Sequence, residues 1–166
     1  MTNFIIERPS WDETWLAVAC DIAKRSLCVR DQVGAVIVSP QQRVIATGYN
    51  GPPAGFCHNE QPCSDWCQRA ALAKEVMTTG LLPIMPDYSD CPALHAEANA
   101  LSVCERSVRE GGTIYITSNI CWNCAKLVAN SGLKRVVVLV KAEFAHRNSD
   151  KSYEFLEQCG LKVDLT

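Results

Sequence analysis

The residues best equipped for chemistry in this chain are His95 and Glu97, two positions apart in His95-Ala96-Glu97, and the two thiols of Cys121-Trp122-Asn123-Cys124. One imidazole and two thiols are donors suited to zinc. Structural zinc sites are usually closed by four protein ligands, whereas catalytic sites keep three and leave the fourth position to water. Glu97 has the type and position of a proton carrier beside such a water. It would take a proton from the attacking water and hand protons to the substrate and its leaving group. A purely structural zinc is the competing reading. Glu97 discriminates against it, because a closed site gains nothing from an acid/base group, and an unpaired buried carboxylate is costly.

The elements that must position these groups follow from apolar spacing and turn residues. Ser10, with Glu13 at the capping-box position, opens a helix whose face is Trp15, Val18, Ala19 and Ile22. Val33 to Val38 reads as a buried strand, Pro40 to Gln42 as a turn, and Val44 to Tyr49 as the antiparallel partner strand. Asn50-Gly51-Pro52-Pro53 ends that hairpin. Leu94 to Arg106 predicts a helix, Thr113 to Thr117 a strand, and Cys121 to Ser131 a helix ended by Gly132. On this reading Cys121 and Cys124 lie in the first turn of their helix, where the partial positive charge of the N-terminus favours thiolates. Val136 to Val140 is a continuous apolar strand, Tyr153 to Cys159 a last helix, and Leu161 to Leu165 a last strand. The order predicts an α/β fold, a three-layer α-β-α sandwich around a mixed five-stranded sheet.

Between these elements lies a long Cys/Pro-rich insertion, residues 50–94, holding six of the eight prolines and four of the ten cysteines. Its one helical-looking piece runs from about Asp65 to Met77. A segment of this kind inside a compact domain is usually functional. No linker divides the chain, so one domain over residues 1–166 is expected.

With 48% hydrophobic and 20% charged residues, the chain is globular in composition. A net charge of -2 and 7% aromatic residues weigh against a polynucleotide partner, which needs basic and stacking contacts. No apolar run approaches the ~18–20 residues that span a bilayer. Met1 to Pro9 lacks the basic segment and apolar run of a signal peptide, so a cytoplasmic protein is expected, its cysteines metal ligands or buried thiols.

At this point the chain resembles the zinc-dependent cytidine deaminase superfamily, and within it the deoxycytidylate (dCMP) deaminases. The likeness runs from about Ala17 to Gly160. It is carried by Arg25 to Arg30 with Val33 to Val38, by Gly48-Tyr49-Asn50-Gly51, by His95-Ala96-Glu97-Ala98-Asn99-Ala100, and by Cys121 to Lys126. The resemblance implies hydrolysis of dCMP to dUMP and ammonia, within pyrimidine deoxynucleotide (dTTP precursor) metabolism. It implies His95, Cys121 and Cys124 as zinc ligands and Glu97 as the catalytic proton shuttle. It implies Asn50 in the nucleotide pocket and Arg30 near the phosphate, where a solvated surface charge is the alternative. A nucleic-acid cytosine/adenine deaminase and a non-catalytic zinc-binding module are the competing functions. One departure stands out: the family places proline before the first cysteine, and this chain has Ile120. A shifted preference toward a C5-modified pyrimidine is one expectation from that change.

By resemblance alone, a second, structural zinc is expected on Cys28, Cys57, Cys63 and Cys91, with His58 and Cys67 as alternates. The alternative is that these are small buried residues or free thiols. Family likeness further implies a homo-oligomer, a hexamer, with allosteric dCTP and dTTP acting at the Gly48 to Gly55 region, and Mg2+ accompanying such a nucleotide.

Overall fold

The β-branched run Gly34–Val38 is buried along its whole length as strand β1. Antiparallel to it lie β2 (Val44–Tyr49) on one side and β3 (Thr113–Ile116) on the other. Two further strands, β4 (Arg135–Val138) and β5 (Lys162–Leu165), continue parallel to β3, giving the order β2-β1-β3-β4-β5. The computed structural model describes residues 7–56, 91–141 and 149–166, together with Cys63, Cys67 and Thr78.

Strand periodicity sorts the core into two layers. Ala35, Ile37, Ile114, Ile116, Val136 and Val138 share a cluster with helices α2 (Ala96–Ser102), α4 (Trp122–Ala129) and α5 (Ser149–Gln158). Val36, Val38, Tyr115 and Val137 share the other cluster with Leu16 and Ala19 of helix α1 (Trp11–Ala23). The predicted sandwich and mixed five-stranded sheet are therefore present, with α1 on one face and the helices of the catalytic motifs on the other.

Helix α1 begins with the expected capping box: Glu13 N–H donates to Ser10 Oγ (3.2 Å) and Ser10 N–H to Glu13 Oε2 (2.7 Å). Arg135 ties its first turn to the sheet, donating to Asp12 Oδ2 (2.7 Å) and Asp164 Oδ2 (2.6 Å). Tyr115 Oη donates to Asp12 Oδ1 (2.9 Å). The Arg135 hydrogen bond holds the Asp12 carboxyl below its ordinary range, outweighing the opposing effect of burial.

Gly48 sets how closely α2 approaches the sheet. A Cβ there would overlap the Ala96 carbonyl and the Ala100 backbone N–H, so only glycine lets the helix seat on β2.

Element boundaries differ from the sequence reading where tertiary pairing intervenes. The helix expected from Leu94 starts at Ala96, because Leu94 is held extended by reciprocal backbone bonds with Gly51 (2.8 and 3.1 Å). It stops at Ser102, and a separate short helix α3 (Arg106–Arg109) follows. The Arg109 guanidinium closes the gap, donating to the carbonyls of Leu101, Cys104 and Ser131. Helix α5 begins four residues before the expected Tyr153, its first turn Ser149-Asp150-Lys151 carrying no apolar period. The helix predicted around Asp65 to Met77 lies outside the described residues, Cys67 apart.

Candidate active site

Two helix starts meet at the site. His95 is the N-cap of α2 and Cys121 the N-cap of α4, both with extended backbone (φ -75°, ψ 157° and φ -81°, ψ 162°). Cys121 is thus the cap itself, one position before the predicted first turn, and Cys124 sits a turn further in. Cys124 N–H donates to Cys121 Sγ (3.5 Å), fixing the loop that presents both thiols.

His95 Nδ1 lies 3.3 Å from Cys121 Sγ and 3.3 Å from Cys124 Sγ. Among the described residues, this is the one group that brings three donor atoms within 4.8 Å of one another. Zinc bonds of about 2.3 Å to sulfur and 2.0–2.1 Å to nitrogen imply tetrahedral S···N edges of about 3.5 Å. The donor set therefore fits a zinc ion and leaves its fourth position to the cavity. The charges agree with this. A hydrogen bond from Cys124, seconded by His95, draws the Cys121 thiol down to about 4. Cys124 is pushed the other way, first by that shared bond and then by burial. Two thiolates this close repel each other, and a divalent cation between them relieves that repulsion.

Glu97, in the first turn of α2, is 3% exposed. Burial raises its carboxyl above the ordinary range, with His95 opposing. It lines the same cavity as the three donors, together with Arg30, Asp31, Asn50, Ser118, Asn119 and others. The cavity encloses about 580 Å³, within the range of small-molecule sites.

Arg30 is exposed at this cavity, and Asn50 is half-buried in its wall. The Asn50 side chain bridges backbone, accepting from Val33 N–H (2.8 Å) and donating to the Asp31 carbonyl (2.9 Å). One amide hydrogen and one lone pair remain for a ligand. Ile120, where the family places proline, is fully buried.

Cys28, Cys63, Cys67 and Cys91 form a separate cluster nearby. Val29 N–H donates to Cys63 Sγ (3.4 Å), and Cys63 N–H to the Leu27 carbonyl (3.1 Å). Burial pushes the Cys63 thiol up to about 11 and raises Cys91. Three of the four cysteines expected together are therefore in one place, with the alternate Cys67. Cys57 and His58 lie outside the described residues.

The sequence reading did not single out Asp31, Ser118, Asn119, Trp122 or Lys141. Ser118 and Asn119 follow β3 and Lys141 follows β4, at the carboxyl ends of parallel strands where α/β sheets place ligands. That position was the available signal. Among the described residues, no helix is long and apolar enough to cross a membrane.

Comparison with known proteins agrees with this geometry. The sequence pattern of the cytidine and deoxycytidylate deaminase zinc-binding region matches residues 9–140. A deoxycytidylate deaminase of Mycobacterium phage D29 is 43% identical over 136 residues, covering 80% of this chain and 96% of that protein. A deoxycytidylate deaminase of Schizosaccharomyces pombe is 37% identical over 132 residues, which are 78% of this chain but 37% of the yeast protein. Among solved structures, the dCMP deaminase of cyanophage S-TIM5 in complex with dCMP and dUMP superposes with a TM-score of 0.66 at 25% identity, covering 97% of this chain and all of that one.

Proposed function

The chain belongs to the cytidine and deoxycytidylate deaminase family, and we propose from its site that the reaction is dCMP plus water giving dUMP and ammonia. The observation that carries this is the buried Glu97 beside the convergent His95, Cys121 and Cys124 donors in one cavity. A zinc ion held by those three residues supplies a Lewis acid, which makes water a nucleophile at neutral pH. Glu97 does the proton work: it takes a proton from the attacking water and gives it to the pyrimidine ring nitrogen, then takes the remaining hydroxyl proton and gives it to the departing amine. Its burial keeps the carboxyl ready to hold those protons between steps. Arg30 binds the substrate phosphate, as a guanidinium suits. Asn50 holds the Arg30–Val33 turn in place and offers its remaining amide groups to the nucleotide.

A second, structural zinc is held by Cys28, Cys63 and Cys91, with Cys57 or the alternate Cys67 as the fourth ligand. What supports it is the convergence of the free thiols of Cys28, Cys63, Cys67 and Cys91 from distant parts of the chain. A single domain over residues 1–166 and a cytoplasmic setting complete the reading, with a hexameric assembly and control by dCTP and dTTP with Mg2+ added by family likeness.

The test is ammonia release from dCMP, deoxycytidine and a cytosine-containing single-stranded oligonucleotide by the zinc-loaded protein, with and without dCTP. Turnover confined to dCMP upholds the proposal, and a dCTP effect upholds regulation. Turnover of the oligonucleotide, or silence on all three with zinc bound, overturns it.

A further inference from the structure

The wall of the cavity contains a charge arrangement that the chemistry at Glu97 does not use. Asp31 lines the cavity, and its side chain is 8% exposed. Lys141 Nζ lies 2.7 Å from Asp31 Oδ1, and Ser118 Oγ donates to Asp31 Oδ2 (3.0 Å). The backbone of Lys141 is itself clasped by Asn119, whose amide donates to the Lys141 carbonyl and accepts from its N–H (3.4 Å each). Lys141 Nζ also donates to the Gln32 carbonyl (3.5 Å). The Arg30–Gln32 turn is thereby joined to the exits of β3 and β4 through one ion pair.

The charge balance gives this pair a consequence. Glu97 and the three donors belong to the reaction centre. The remaining formal charges on the described cavity lining are Arg30 and Asp31, which cancel. A phosphate dianion entering that space meets a carboxylate in the wall. Lys141, outside the lining but in contact with Asp31, shifts the balance to positive.

We infer that the Lys141–Asp31 pair sets the preference of this site for a phosphorylated nucleoside, Lys141 acting as a charge-setting residue behind Asp31. This rests on the proposed dCMP reaction. At an effective dielectric near 20, a unit charge several ångströms from a dianion is worth more than the interaction energy behind a tenfold change in binding. The pair therefore acts on binding of the nucleotide and leaves the proton transfers at Glu97 alone.

The experiment compares steady-state kinetics of the wild type, Lys141→Met, Lys141→Arg and the double variant Asp31→Asn/Lys141→Met on dCMP, each checked for zinc content and melting temperature. Lys141→Met is expected to raise KM about tenfold or more with kcat within about twofold. Lys141→Arg keeps the charge and stays near the wild type. The double variant recovers most of the lost affinity, because the carboxylate no longer faces the phosphate. A loop latch without an electrostatic role predicts the reverse: the double variant, having lost both partners, is no better than Lys141→Met. That result, an unchanged KM in Lys141→Met, or a loss confined to kcat overturns the inference. An inactive wild type overturns the dCMP reading itself, and this inference with it.

Discussion

The two cysteine-bearing regions of this molecule are assembled in different ways. At the His95 site the donors sit on N-caps of helices that pack on the sheet, so the backbone delivers them before any metal arrives. At the Cys28 cluster the donors come from the exit of α1 and from positions 63, 67 and 91, outside the strands and helices described above. The His95 donors lie within 4.8 Å of one another, and no three of the Cys28 cluster reach that closeness among the described residues. A site carried by regular elements has its entropy already spent in folding the scaffold. A site gathered by fold-back spends it when the ion binds. The His95 region should therefore use its metal for chemistry, and the Cys28 region for stability.

The sharpest way to separate them starts at Glu97. Glu97→Gln should lower kcat on dCMP by about a thousandfold, with zinc content and melting temperature nearly unchanged. Retained activity would break the assignment of chemistry to this region. Next in size is Cys63→Ser, expected to remove one zinc per chain and about 3 kcal/mol of stability, a fall of roughly 6–12 °C in Tm. Cys121→Ser should also remove one zinc but abolish turnover with a smaller fall in Tm. Equal stability losses in the two variants would erase the contrast. A metal analysis giving one zinc per chain in the wild type would remove the second site altogether.

Gly48→Ala probes the scaffold of the first region alone. The added methyl drives α2 off β2, at a cost of about 1–3 kcal/mol, and displaces His95 and Glu97 together. Activity should fall more steeply than stability, while zinc at the Cys28 cluster stays. The smallest effect is expected far from both regions. Arg135→Met should cost about 1 kcal/mol and leave both metals and kcat in place. In the wild type the carboxyl of Asp12 is held below its ordinary value, so its stabilising contribution is complete above that value. It is lost as pH falls from about 4 through the lower folded-state value. Arg135→Met should flatten that part of an acid titration of Tm.

How much was legible follows the same division. The capping box at Ser10, the hairpin, the two zinc-binding motifs and the parallel strands are local patterns, and each appears where the residues indicated. Local pattern was insufficient where a distant partner took over the backbone. Leu94 looked helical until Gly51 paired with it, and the helix was cut at Ser102 where Arg109 takes up carbonyls. Cys67, the alternate in the expected quartet, joins Cys28 because the segment folds back, and spacing alone does not say which thiols such a fold-back brings together.

By itself the sequence indicated the reaction class and the residues proposed for its centre. Three donors and an acid at helix starts are fixed by short-range geometry, and a strand that is apolar throughout must be buried on both faces. Only the tertiary structure decided what surrounds that centre. Lys141 and Asp31 are 110 residues apart and meet because the exit of β4 and the segment before β1 lie at the same end of the strands. Gly48 is required because a helix formed 48 residues later seats on it. Such pairings depend on long-range approach of chain segments, which leaves no periodicity in the residues that make it.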